Sequence, residues 1–235
     1  MIGDSIMKLY TALGRYTMKE SVAGEKIPHV IIGDTTHELD LWEMIVWSSL
    51  IWNIYTYDEI CRDFYKKEKE AHILGDLSCD DYLKHMEQKG LIAVGEGVTG
   101  IDALHNLISG LYVIPVTANL FTKTAAFLHL TFIKGVPLHV TKHIFDKESR
   151  STTEKKIVSL AKQTQLTVGE LIKCVECGVN DVSTDEKLVD QLYNDDTTTY
   201  KNIGTLFRTC DSCHPVLEAV STLYLNKNLI FEKCV

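Results

Sequence analysis

The chain lacks any uninterrupted apolar run long enough to cross a bilayer, which takes about 20 residues. Its most apolar region, residues 111–136, is broken by Pro115, Asn119, Lys123, His129 and Lys134 and reads as buried core. The opening stretch MIGDSIMKLYTALGRY carries no apolar h-region, so no signal peptide is expected. Basic charge is also short. Lys and Arg number 24 against 32 Asp and Glu, a net charge of -8. That balance excludes a general nucleic-acid coat, because sequence-independent binding is driven by Lys and Arg neutralising phosphates. A nucleophile elbow and a phosphate loop are missing too. Gly95-x-Gly97-x2-Gly100 has the bare spacing of a dinucleotide fingerprint. The chain around it lacks a doubly wound alternation, however, and the glycines read as a tight turn after a strand. Nothing pairs carboxylates for acid-base work. No catalytic residue is assigned, and the chain is read as non-enzymatic.

What is present is an ordinary globular composition, 45% hydrophobic and 24% charged over 235 residues, enough for one large domain or two small ones. The seven cysteines are Cys61, Cys79, Cys174, Cys177, Cys210, Cys213 and Cys234. An odd number without an export signal predicts reduced thiols and a cytoplasmic location.

Apolar spacing predicts a helix over 5–18, a short strand at 29–32, a turn at Gly33-Asp34 and a second short strand over 36–40. Asp40 with Glu43 forms a capping-box pattern that opens an apolar helix. Further helices are expected from Tyr57 and from Ser78, the latter stopped by Gly90. The strand Leu91–Val94 and the glycine turn follow, and then a helix opened by Thr99-Gly100. Three helices, a strand and a turn, over about residues 37–98, resemble the winged helix-turn-helix superfamily, which includes many bacterial transcriptional regulators. That resemblance implies a DNA-binding regulator.

The second half echoes the first. Helices are expected over 153–163 and from the caps Thr167 and Thr184. Tyr57-x2-Ile60-x3-Phe64 is matched by Tyr200-x2-Ile203-x3-Phe207, and Gly90-Leu-Ile92 by Asn228-Leu-Ile230. The expected architecture is therefore mainly α with small β (α+β). Two winged-helix-like units, residues 1–115 and 151–235, are joined by an apolar, basic helical segment, 116–150.

In winged-helix regulators the third helix enters the major groove. Carried over, this names Lys84, His85, Gln88 and Lys89 in the first unit, and His214, Ser221, Thr222, Asn226 and Lys227 in the second. Against it, residues 40–115 hold six basic and thirteen acidic side chains, and residues 151–235 nine and twelve. Only 116–150, with five basic against two acidic, is net positive. The alternative reading is a protein-interaction module or scaffold built on the same folds, with a homodimer as one arrangement and no membrane partner. Trp42, Trp47 and Trp52 recur every five residues and cannot share one helical face, leaving one free as an interface anchor.

A third reading is a zinc- or thiol-dependent sensor. Cys174-x2-Cys177 and Cys210-x2-Cys213 supply four thiols for a tetrahedral zinc. Their separation exceeds the usual ~15–20 residues of a zinc ribbon, and small buried side chains or a regulatory disulfide account for the same residues. Cys210-Asp-Ser-Cys213-His214 also fits c-type haem attachment, a chemistry of exported proteins, and is set aside. His139 and His143 pair only if their stretch is helical.

Overall fold

The structure, a computed structural model, describes residues 6–20, 24, 26–71, 77–116 and 150–233. The chain opens on strands where apolar spacing predicts a helix. β1 (Met7–Ala12) leads through Gly14 into β2 (Arg15–Glu20). Two features override the helical spacing. All six residues of β1 pair antiparallel with a later strand. Gly14 turns at φ +80°, and a Cβ there would lie 2.4 Å from the Ile31 carbonyl oxygen, so only glycine fits. β3 (Lys26–Ile32), the Gly33-Asp34 turn and β4 (Thr35–Glu38) follow as expected.

Helix α1 (Leu41–Leu50) starts at the foreseen capping box, with Asp40 and Glu43 each accepting from the other's backbone N–H. Next come β5 (Tyr55–Thr56), α2 (Tyr57–Ala71), α3 (Cys79–Gln88), capped by Ser78, and β6 (Ile92–Gly97). α4 (Gly100–Ile108) and β7 (Tyr112–Pro115) complete the first stretch. The expected apolar segment 116–150, with His139 and His143, lies outside the described residues apart from its two ends. The chain resumes with α5 (Thr152–Ala161), β8 (Leu166–Thr167), α6 (Val168–Glu176), α7 (Asp185–Leu192), α8 (Ile203–Leu206), α9 (Cys213–Leu225) and β9 (Leu229–Glu232). The fold is α+β, with three small antiparallel sheets ordered β5-β1-β6, β2-β3-β4 and β8-β7-β9. None of the described helices is long and apolar enough to cross a membrane.

The first and third sheets share one topology. A strand that comes first in sequence (β1 or β7) lies in the centre, a two-residue strand (β5 or β8) pairs on one side, and the last strand (β6 or β9) on the other. Around them the helices run α1, α2, α3 in one unit and α5, α6, α9 in the other. The counterpart of α2 is therefore α6, opened by β8, and the match of Tyr57–Phe64 to Tyr200–Phe207 does not mark the repeat. α7 and α8 are additions between α6 and α9. The second echo is displaced by one residue. α3 and α9 each lead into their strand through a positive-φ residue, Gly90 (+72°) and Lys227 (+60°), so Gly90 corresponds to Lys227 rather than Asn228, and Ile92 to Leu229. β7 lies before residue 116 yet pairs with β8 and β9, so the third sheet draws a strand from the stretch read as the first domain.

Gly95 and Gly97 do not form a turn. They belong to β6, paired with Leu9 and Met7 of β1. A Cβ on Gly95 would lie 2.4 Å from the Ala103 carbonyl oxygen, and one on Gly97 2.3 Å from the Ala103 nitrogen. Their missing side chains let the backbone of α4 rest directly on the strand.

One contiguous apolar core runs through both units. Tyr224 of α9 ties them together. Its buried hydroxyl accepts from the Trp52 backbone N–H (2.9 Å) and from Thr11 Oγ1 (2.8 Å), and lies 3.3 Å from the Leu50 carbonyl oxygen. Burial pushes this phenol up to about 12. The Gly14 N–H donates to the Phe231 carbonyl at 2.8 Å, joining the β1–β2 turn to β9.

Candidate functional site

The nine residues named for DNA reading are spread over different environments. On α3, Lys84 pairs with Asp80 one turn away (2.6 Å), and Gln88 is exposed. Lys89 and His85 both turn to Glu43 of α1, with Lys89 Nζ at 2.5 Å and His85 Nε2 at 3.2 Å from the same carboxylate oxygen. Glu43 is only 2% exposed, so Lys89 neutralises a buried charge between helices, with His85 beside it. On α9, His214, Ser221 and Thr222 line a shallow groove of about 270 Å³ against α4, together with Ile101, Leu104, Leu217 and Leu225. The Ser221 hydroxyl is buried there without a hydrogen-bond partner among the described residues. Asn226 is exposed, and Lys227 lies over the Trp52 ring at 5.4 Å from its centroid.

The cysteines proposed as zinc ligands fall in α6 and around the start of α9. Cys174 and Cys213 are buried, Cys210 is half-buried and Cys177 is exposed at the end of α6. Burial pushes the Cys174 thiol up to about 12, and burial followed by the nearby Glu176 charge raises Cys210. Among the described residues no group of three or more His, Cys, Asp or Glu side chains is placed to hold a metal ion. A second cysteine pair was not foreseen: Cys61 of α2 neighbours the buried Cys79 of α3, and burial, then the interaction with Cys61, raises the Cys79 thiol. Spacing gave no signal of it, since 18 residues and a helix–helix turn separate the two.

The feature with the best-formed geometry is a cleft of about 710 Å³ between the two repeated units. Its volume falls within the ~300–1,000 Å³ of ligand sites. Met44, Trp47, Ser48 and Ile51 of α1 and the following Trp52 form one wall. Ile114 and Pro115 of β7, Val116 and Ile230 of β9 form another, and Gly14, Arg15 and Tyr16 close the third side. The apolar positions of α1 and the two sheet edges converge on it, which is why it is greasy. Trp47 is anchored by its indole N–H on the Leu13 carbonyl (3.0 Å) and stacks with Tyr16, ring centroids 6.3 Å apart.

Trp52 is the strained member. Its φ of +58° is an outlier for a bulky side chain, a conformation that costs roughly 1–3 kcal/mol, and the Tyr224 hydroxyl on its backbone N–H helps hold it there. Its indole N–H is buried with no acceptor among the described residues. Of the three tryptophans, Trp42 is packed away against Phe64 and Tyr82, whereas Trp47 and Trp52 line the cleft.

Polarity is sparse. Arg15 is the one charged residue of the lining, and it makes no ion pair or hydrogen bond through its side chain among the described residues. No residue set around the cleft combines a nucleophile with a base. The lining is apolar and aromatic, with a single cation at its side. Comparisons of the chain with protein-family models, with curated proteins and with solved structures find no match in any of the three.

Proposed function

We propose that the chain is a non-catalytic protein-interaction module, built from two winged-helix-like units, that receives a partner protein in the cleft between them. The single observation that carries this reading is the cleft itself, an aromatic-walled apolar cavity with a strained, donor-bearing Trp52 at its side. Buried aromatic pockets of this kind hold the anchor side chains of protein interfaces.

The alternative is a DNA-binding regulator of winged-helix type. It would require the third helix of one unit to meet phosphates, yet Lys84 and Lys89 are engaged by Asp80 and Glu43, and α3 presents Asp80, Asp81 and Glu87 beside them. On α9 three of the five named residues face α4. These observations favour the partner-binding reading.

The test selects a displayed library of random 12-residue peptides on the full chain. Enriched peptides are expected to bind the wild type and to lose at least tenfold in affinity against Ser48→Trp, which fills the cleft from an exposed helical position. Thermal unfolding of that variant checks that the fold is intact. Peptides that bind Ser48→Trp as well as the wild type overturn the reading. A pool of random DNA duplexes runs beside it. Enrichment of duplexes whose affinity falls steeply with salt would replace the module by the regulator.

A further inference from the structure

The cleft opens onto an uncovered strand. β2 pairs with β3 along one edge and with no strand along the other among the described residues. It is exposed over nearly all of its six residues, and its first two, Arg15 and Tyr16, line the cleft. An uncovered edge presents a row of backbone donors and acceptors, a template for a further strand. Charges at Arg15, Lys19 and Glu20 guard this edge against indiscriminate pairing, while Tyr16 and Met18, each 46% exposed, lie on the face that stacks against Trp47.

Resting on the partner-binding reading, we infer that the guest is an extended acidic-apolar segment of a partner protein, which adds to the outer edge of β2 and places its apolar side chains in the cleft. The alternation of a strand sets the pattern. Tyr16 and Met18 share one face, so residues opposite them are apolar. Arg15 and Lys19 share the other face about 13 Å apart, at ~3.3 Å per residue, and their charges call for acids opposite. Arg15 has no counter-ion among the described residues, and Lys19 Nζ reaches only the Thr36 hydroxyl at 3.2 Å. The segment is therefore about five residues long, with acids at its two ends and apolar residues second and fourth. Backbone pairing supplies affinity, and the Tyr16–Trp47 pocket supplies selectivity. A second copy of this chain fits less well. Antiparallel pairing of β2 with itself about Thr17 would set Arg15 opposite Lys19.

The peptides enriched above also decide this point. The expected consensus has acids four residues apart with apolar residues alternating between them. N-methylation of alternate backbone amides should lower affinity at least tenfold, while methylation of the intervening amides leaves it within about threefold. Arg15→Glu with Lys19→Glu should invert the charge preference from acidic to basic. A consensus with apolar residues three and four apart, or uniform tolerance of N-methylation, overturns the strand-addition inference. The module reading would survive that result, provided the same peptides still lose tenfold to Ser48→Trp. Indifference to Ser48→Trp, or no enrichment at all, removes both.

Discussion

The two repeated units solve the same topological problem with their charges arranged in opposite ways. In the first, the buried partner is the acid: Glu43 of α1 is 2% exposed and is met by Lys89 and His85, which are one-third and half exposed. In the second, the buried partner is the base: Lys173 of α6 is 6% exposed, donates to the Leu192 carbonyl at 2.7 Å, and pairs with an outer Asp195 at 3.3 Å. The first unit inserts β2–β4 between its central strand and first helix. The second inserts α7 and α8 between its second and third helices. A fixed strand-centred frame thus tolerates additions wherever a connection reaches the surface. The cleft lies where β2, an edge strand among the described residues, meets α1 and β9.

The largest expected effect concerns the frame. Gly95→Ala would drive a methyl into the backbone of α4, where no flexible side chain can yield, and should cost about 3 kcal/mol or more. Gly110→Ala, at a glycine with open space around it and no positive φ, should stay within about 0.5 kcal/mol of wild type. Urea unfolding of the two variants measures the contrast. Equal midpoints would mean that α4 is free to lift off β6, and that the frame is looser than the backbone contacts imply.

Smaller losses, about 1–3 kcal/mol each, are expected where a buried polar group loses its partner. Tyr224→Phe keeps the ring and its packing on Phe231 but leaves the Trp52 N–H unmet and the Thr11 hydroxyl with the Asn53 carbonyl alone. Because the hydroxyl also helps hold Trp52 in its strained turn, the same variant should weaken cleft binding, a second readout that a purely structural role would not move. Lys89→Met sharpens the comparison of charges. It leaves a buried carboxylate with His85 and the Asp40 backbone N–H but no lysine, and should cost more than Asp195→Asn, which leaves Lys173 its bond to the Leu192 carbonyl. Equal costs by urea unfolding would show that the side on which the buried charge lies does not matter.

Helix starts were the most legible part of the sequence. Asp40, Ser78, Thr99, Thr167 and Thr184 all cap as read, because a side-chain oxygen three residues from a donor is a local event. The opening strands were hidden because Ile6, Leu9, Leu13 and Tyr16 fit a helical face equally well, and only pairing with residues 92–97, some eighty positions away, decides for β1. Gly95 and Gly97 were seen, but their purpose depends on a helix lying across the strand, which spacing does not carry. The cleft was half legible. The five-residue spacing of the tryptophans implied that they cannot share one helical face; none is exposed, Trp42 and Trp47 being buried and Trp52, just beyond the helix end, packing half-buried against the core. Its convergence with Ile114 and Ile230 comes from tertiary contacts spread over 180 residues. The pairing of Lys89 with Glu43 was not legible for a related reason, since the two are neighbours only across the α1–α3 packing.

The smallest expected effect lies at the outer charge of the second unit. Hydroxyl and backbone N–H groups of Thr197 and Thr198 donate to the Asp195 carboxylate and hold it well below the usual carboxylate range. A carboxyl whose folded pKa is depressed contributes stability above its unfolded value, about 3.9, and loses it as pH falls toward the folded value. The gap in unfolding midpoint between the wild type and Asp195→Asn should therefore be constant near neutrality and shrink as pH drops through about 4. It should shrink further toward pH ~2. A gap that does not change with pH would mean that the side chain acts through its shape in the 195–198 turn. The outer charge of the second unit would then not mirror Lys89 in the first.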